Sequence, residues 1–368
     1  MTAENAPSGP SGGLQVLGRA PNSLGLLDVS PVDCCIYYGS NFFTQLKEKP
    51  EAPGEASKWP QESPGEPYKG AGGPSGAPSQ HRVNKASRLG APMADMLLLV
   101  PQNQLLQWHR ENLEKRVDHY APFFKYLSRF GGPEAAADFA VRLTNASGVP
   151  VLFNCRVPLD PNGTELCKYG VLPTEAFIED LKFWVHFYFA GRMQKPVHLC
   201  WNGTAKGQAE VEEALHLNRL NALRLALLLL PEKVTLDCLL AEIVSLSYIG
   251  DFRVLVAEDP NKVQAIVRGQ AKELCAIYLP LLLQIPSVHV DQDGPHGLAQ
   301  RPFTGFQSHT QPPGARAPKD TENGSAEEGA ALSSILIRQD RSPAALAALY
   351  SPLPLSFRRR AEACESKK

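Results

Sequence analysis

Apolar residues fall along this chain in short blocks of differing period. Residues 32–38 (VDCCIYY) form an apolar run that stops at Gly39-Ser40, which predicts a strand and a tight turn. Residues 96–100 form a second run between Asp95 and Pro101 and predict another strand. Leu105, Trp108, Leu113 and Tyr120 recur near helical spacing, so a single helix is expected over 104–125. Segments 148–154 and 165–171 read as strands of a hairpin, joined by a Pro-Asn-Gly turn at 161–163. Thr174 is expected to cap a helix over 175–189, with Gly191 as its stop, and 197–201 reads as a further short strand.

The pattern then turns helical. A long amphipathic helix is expected over 211–230, ending at Pro231, and another over 235–248. Residues 253–256 predict a short strand, and Asp259-Pro260 opens a further helix. Residues 281–330 show little pattern, and the remainder has an Ala/Leu-rich stretch followed by Arg358–Arg360. The expected organisation is a disordered N-terminus (1–30), an α/β part (31–205) with an insertion at 46–92, and a mostly helical part (206–285). A disordered linker (286–330) and a C-terminal tail (331–368) follow. The fold class is thus α/β or α+β. The longest apolar runs, near 225–230 and 279–285, are far below the roughly 20 residues needed to span a bilayer.

Composition sharpens this. The chain has 368 residues, 43% of them hydrophobic, enough to build a core. Its formal net charge of -1 argues against coating nucleic acid through bulk charge. The 29 Gly and 32 Pro exceed the ordinary share of about 12%. They concentrate locally: residues 49–80 alone hold 7 Pro and 6 Gly, which predicts a flexible insertion. The 8 cysteines include no CxxC pair, so they read as reduced thiols, most of them in apolar stretches. No secretory signal or mitochondrial presequence is evident in the first 30 residues, and the sequons at Asn145, Asn162, Asn202 and Asn323 read as chance matches.

Several residues have the chemistry of a site. Gly39-Ser40, between a strand and a possible helix, offers backbone N–H groups and a hydroxyl to a phosphate, although such turns are commonly plain punctuation. Asp95 leads into an apolar strand, where a carboxylate either closes a turn or faces a site. Lys168, in an apolar hairpin, either meets an anion or lies on an exposed face. Asp251 and Arg253 share one face of an extended segment, as an ion pair or as metal and phosphate ligands. His109, His119, His186 and His198 have no metal-ligand spacing, and Trp184 reads as core.

Taken in order, these pieces resemble one family. The segments are Tyr38-Gly39-Ser40-x-x-Phe43-x-Gln45, Asp95 with its strand, Trp108-His109, Lys168-Tyr169-Gly170-Val171 and Ile178-Glu179-Asp180-Leu181. They continue with Ala190-Gly191-Arg192-x-Gln194-Lys195-Pro196, Leu230-Pro231-Glu232, Glu242-Ile243 and Leu246-Ser247-Tyr248-x-Gly250-Asp251-Phe252-Arg253. The chain resembles the mitochondrial phosphatidate cytidylyltransferases, also called mitochondrial CDP-diacylglycerol synthases or the translocator assembly and maintenance family. The resemblance is strongest over 165–280. It implies a nucleotidyltransferase-fold domain with a mixed sheet, followed by a helical winged-helix-like domain. It also implies Mg²⁺-dependent reaction of CTP with phosphatidic acid, giving CDP-diacylglycerol and pyrophosphate for cardiolipin synthesis. The implied location is peripheral, on the matrix face of the inner mitochondrial membrane, with no nucleic-acid partner.

On this resemblance Gly39 and Ser40 hold the triphosphate, Asp95 holds the metal, and Lys168 offsets phosphate charge. Lys195, Asp251 and Arg253 add phosphate or metal contacts, with Asp251 as the second metal carboxylate. The tail, through its apolar residues and Arg358–Arg360, is expected to help bind an anionic membrane surface. Two differences stand out. Asn41 occupies the last position of the family's Gly-Ser-Gly, and the stretch between that turn and Asp95 is longer. A catalytically impaired relative that binds nucleotide, lipid or protein is therefore the alternative reading.

Overall fold

The structure is a computed structural model that describes residues 16–17, 32–39, 93–158, 166–248, 261–291, 332 and 335–365. Its first sheet has six strands: β1 (Val16–Leu17), β2 (Cys34–Tyr38), β3 (Met93–Val100), β4 (Leu152–Pro158), β5 (Leu166–Pro173) and β6 (His198–Trp201). They lie in the order β1-β6-β2-β3-β5-β4. The sheet is mixed: β3 runs parallel to β5 and antiparallel to β2, and β4 closes a hairpin on β5.

Strand β3 is apolar without alternation because both of its faces are covered. Leu97 and Leu99 share one face with Ile36 and Leu172, beneath Phe177, Phe189 and Leu215. Met96, Leu98 and Val100 share the other with Tyr169 and Val171, against Leu105 and Trp108. The covering helices are α1 (Leu105–Lys115) and α2 (Pro122–Ala146) on the second face. On the first they are α3 (Thr174–Phe183), α4 (Tyr188–Met193) and the N-terminal half of α5 (Ala205–Leu229).

The C-terminal half of α5 enters a second core. There Ala222, Leu223 and Leu227 meet α6 (Leu236–Leu246), α7 (Lys262–Gly269) and α8 (Ala271–Leu282). A three-stranded antiparallel sheet completes it, in the order β7 (Lys233–Thr235), β9 (Leu336–Gln339), β8 (Val288–Asp291). Helices α9 (Pro343–Tyr350) and α10 (Leu355–Glu365) end the described chain. Five of the cysteines are buried, whereas Cys155, Cys238 and Cys364 are exposed, and all eight are free thiols.

Several sequence expectations change. The helix expected over 104–125 ends at Lys115, because Arg116 leaves helical geometry and a 3-10 turn (Val117–His119) intervenes. Helix α2, which the periodicity did not suggest, opens with Pro122 and is bent at Gly132, where φ is +85°. Its two halves fold back, so that the Phe123 and Phe139 rings lie 5.2 Å apart. Thr174 is not a cap: it is helical, and its hydroxyl donates to Asp33 Oδ2 at 2.6 Å. The helix over 175–189 is broken at Trp184 and Phe187, both left-handed, and Gly191 lies inside α4 rather than at a stop. Helix α5 starts at Ala205, where Thr204 Oγ1 accepts from the Gly207 N–H at 3.2 Å.

The stretch expected as a linker from residue 286 contains β8, and the expected tail is built into the second core. Strand β9 is the middle strand of its sheet. Gln339 Nε2 donates to the carbonyls of Leu227, Leu230 and Pro231 at 2.9, 3.0 and 2.8 Å. Arg341 Nη1 adds donations to Leu227, Leu228 and Leu230 at 3.0–3.2 Å. These two side chains satisfy carbonyls at the end of α5 that the helix itself leaves open. Leu353 and Phe357 pack on Trp184, and Arg360 Nη2 donates to the Trp184 and Val185 carbonyls. The expected 253–256 strand, the 161–163 turn and the helix opening at 259–260 lie outside the described residues.

Candidate functional site

Strand register gathers the first residues. Tyr38 on β2 is paired with Asp95 on β3, and Asp95 with Lys168 on β5. Three side chains of adjacent strands therefore stand at one level of the sheet. Gly39 follows Tyr38 with φ +88°, and a Cβ built on it would lie 3.1 Å from Asp95 Oδ2. Glycine is required there twice, for the left-handed backbone and for the space beside the carboxylate. Lys168 Nζ sits 4.5 Å from the Phe153 ring centroid. Ser40, the other half of the predicted phosphate turn, lies outside the described residues, as does Asn41.

A second cation comes from α4. Arg192 packs its guanidinium 3.8 Å from the Tyr188 ring centroid and donates from Nη1 to the Tyr188 carbonyl at 2.7 Å. Burial pushes the Asp95 carboxyl above its ordinary range, while Lys168 and Arg192 pull it back. Burial and the Asp95 charge push the Tyr38 phenol up as well, opposed by Arg192, which hydrogen-bonds it. Asp95 thus lies in the field of two cations.

Lys195, just past α4, turns toward the helical unit. Its Nζ donates to Ser247 Oγ at 2.7 Å and to the Gly191 carbonyl at 3.4 Å, and lies 5.2 Å from the Tyr248 ring. Lys262 Nζ lies 5.4 Å from the same ring. Burial, then Arg192 and Lys262, lower the Lys195 pKa to about 7. Such crowding of like charge is costly. Asp251 and Arg253, predicted to join this cluster, lie outside the described residues.

The segment that carries Arg192 and Lys195 is held by buried polar side chains. Asp180 accepts from the backbone N–H groups of His186 and Phe187 on Oδ1, and of Phe189 and Ala190 on Oδ2. These bonds explain the break between α3 and α4: four donors turned toward one carboxylate offset two left-handed residues. Asn218 on α5 accepts from Trp184 Nε1 at 2.8 Å and donates to the Ala190 carbonyl at 2.9 Å. Arg219 Nε donates to the Met193 carbonyl at 3.4 Å, and the Tyr278 hydroxyl to the Gln194 carbonyl at 2.6 Å. Gly191 meets Ser247 so closely that a Cβ would lie 3.3 Å from the Ser247 Cα.

Tyr38, Asp180 and Arg192 entered the sequence reading only as parts of the matching segments, with no site role, and Asn218 and Arg219 did not enter it. Two signals were present. Arg192 lies inside the Gly-Arg-x-Gln-Lys run, and Asn218, Arg219 and Asn221 interrupt the apolar face of α5.

Among the described residues no three His, Cys, Asp or Glu side chains come together as a metal site. The space kept beside Asp95 by Gly39 suits a divalent cation held by one carboxylate and by ligand oxygens, the usual habit of Mg²⁺.

A mixed sheet with a carboxylate among cations near its strand ends, joined to a helical unit, is an α+β nucleotidyltransferase-like fold. The family model described as "Phosphatidate cytidylyltransferase, mitochondrial" matches residues 26–368, and the chain belongs to that family. A relative of that name from Drosophila melanogaster is 38% identical over 201 residues, 54% of this chain and 55% of its own. One from Xenopus laevis is 36% identical over 188 residues, 51% of each chain. The Homo sapiens relative is 37% identical over 181 residues, 49% of this chain and 37% of its own. The matched stretch thus spans about half the length, or less, of these relatives.

Proposed function

We propose that this protein is a phosphatidate cytidylyltransferase, converting CTP and phosphatidic acid to CDP-diacylglycerol and pyrophosphate. Family membership supports the reading. The observation that carries it is Asp95 standing between Gly39 and Lys168 at one level of the sheet, in the field of Arg192 from α4, with Lys195 further along at the helical unit. One carboxylate among several cations suits a polyphosphate.

The lipid phosphate is already an anionic nucleophile, so no strong base is needed. Its oxygen forms a bond to the α-phosphorus of CTP as the bond to the β-phosphate oxygen breaks, and pyrophosphate leaves with that electron pair. The work left to the protein is alignment and charge neutralisation. Lys168, Arg192 and Lys195 offset the triphosphate charge, and the 186–190 turn fixed by Asp180 sets where Arg192 and Lys195 stand. Mg²⁺ would be held by Asp95 and substrate oxygens, supplying charge neutralisation at the phosphates when bound. Ser40, Asp251 and Arg253 remain part of this reading as phosphate and metal contacts.

The product feeds phospholipid, including cardiolipin, synthesis. The location in this reading is the matrix face of the inner mitochondrial membrane. No helix among the described residues is long and apolar enough to cross a membrane, which suits peripheral attachment.

The test is incubation of the purified full chain with labelled CTP, phosphatidic acid and Mg²⁺. CDP-diacylglycerol should form, and Asp95→Asn should abolish it while the melting temperature holds. Binding of CTP without product would replace the reading with that of a catalytically impaired binding relative. Full activity in Asp95→Asn would remove that residue from the site.

A further inference from the structure

A row of aromatic rings stands in the open on the first half of α2. Phe123, Tyr126 and Phe130 recur at helical spacing and are 54%, 64% and 70% exposed. The Tyr126 and Phe130 rings pack on each other with centroids 4.5 Å apart, so the stripe is continuous. Phe139 and Leu143, at 38% and 45%, extend it along the second half. Large apolar groups gathered this way mark a surface that something covers.

We infer that this aromatic ridge is the surface by which the protein seats itself on an anionic, phosphatidate-bearing bilayer. The inference rests on the proposed reading that the substrate is a membrane lipid. Charge selects the occupant. From Ala121 to Pro133, the half with the three most exposed rings, the charged residues are Lys125 and Arg129, both between ridge aromatics in sequence; the second half adds Glu134 and an Asp138–Arg142 ion pair at 2.8 Å. Aromatic rings interleaved with cations match the boundary between acyl chains and acidic headgroups. A second copy of the chain fits less well, because a two-fold contact through the ridge would press these cations against their own counterparts.

The expected membrane element, the C-terminal tail, has part of its apolar surface committed elsewhere, although Leu355 is 50% exposed. Leu349 is in the second core, and Leu353 and Phe357 pack against Trp184.

The ridge is also firmly tied to the site. Just before α2, His119 Nδ1 lies 2.9 Å from the Tyr169 hydroxyl, and His109 Nδ1 lies 3.0 Å from the Tyr120 hydroxyl. The buried Asn154 side chain lies beside both Tyr120 and Tyr169. Tyr169 follows Lys168 on β5, so the root of the ridge is docked on the strand that carries a site residue. A bilayer held by the ridge would stand at a fixed place relative to the phosphate-binding cations.

The experiment is flotation of the full chain with phosphatidylcholine vesicles and with vesicles of 4:1 phosphatidylcholine:phosphatidate. The parent should float with the anionic vesicles. Tyr126→Ser/Phe130→Ser and, separately, Lys125→Glu/Arg129→Glu should each weaken binding about tenfold or more. Both pairs are on the surface, and their melting temperatures should match the parent's. Activity toward a short-chain, water-soluble phosphatidate should be unchanged in both, while activity on vesicles falls. A parent that does not float, or variants that float like the parent, would overturn the inference. So would a parent dimer that the serine pair converts to monomer. If flotation behaves as expected but no CDP-diacylglycerol forms with either substrate, the membrane surface stands and the catalytic reading fails.

Discussion

Replacing Asp180 by Asn changes one oxygen for one nitrogen, yet it should disable the protein far from any substrate. The Asp180 carboxylate is 1% exposed and receives N–H bonds from His186, Phe187, Phe189 and Ala190 at 2.8–3.1 Å. An Asn amide keeps one acceptor oxygen, for two of the four donors. Its NH₂ then faces the other two N–H groups, donor against donor. Two charge-assisted hydrogen bonds of about 1.5–3 kcal/mol each are lost, and two buried N–H groups go unsatisfied. A net loss of roughly 3–5 kcal/mol follows. At about 2–4 °C per kcal/mol, the melting temperature should fall on the order of 10 °C. Arg192 and Lys195 stand two and five residues beyond Ala190. Loss of alignment by about 1 Å is worth roughly a hundredfold in rate. Differential scanning fluorimetry and CDP-diacylglycerol formation measure the two effects. A variant that melts within about 2 °C of the parent and keeps its kcat/KM would refute the reasoning.

Three further outcomes follow from the geometry. Gly39→Ala places a Cβ 3.1 Å from Asp95 Oδ2 at φ +88°, so activity should drop at least about tenfold while left-handed strain costs only about 1–2 kcal/mol; parallel assays and melts check this. Lys195 has a pKa lowered to about 7 from 10.5, and on the proposed reading CTP would bind its charged form. CTP affinity, followed by calorimetry, should therefore weaken as pH rises from 6 to 8.5, and Lys195→Met should flatten that dependence. Gln339→Ala leaves the Leu227, Leu230 and Pro231 carbonyls without their amide donor. A loss of about 2–3 kcal/mol is expected in a denaturant melt of the full chain.

Much of the first sheet was readable because its strands carry their own signals. β3 and β5 are dense apolar runs, and the parallel register that aligns Asp95 with Lys168 follows once they pair. What escaped depends on partners distant in sequence. Trp184 and Phe187 look helical and become left-handed because Asp180 gathers the backbone around itself. Leu336–Gln339 has no useful period; it is a strand because β7 and β8 flank it. Helix α2 was hidden by Gly131-Gly132-Pro133, which reads as a break and is the bend between its two halves. Of the candidate site, Gly39, Asp95 and Lys168 come together, and Lys195 stands apart from them at the helical unit, with Arg192 between. Arg192 could be located only once Tyr188 and Asp95 were in place around it.

The position of β9 has a consequence for how the chain is made. Among the described residues, the middle strand of the second sheet is its last in sequence, and β7 and β8 do not pair with each other. A chain emerging from the ribosome thus shows two unpaired strand edges and the open end of α5 until residues 336–341 are available. Such edges invite aggregation and proteolysis. Synthesis of residues 336–341 is therefore the step that makes the helical unit safe, and nascent chains halted before residue 336 should be cleaved by a protease that spares those extended beyond 365.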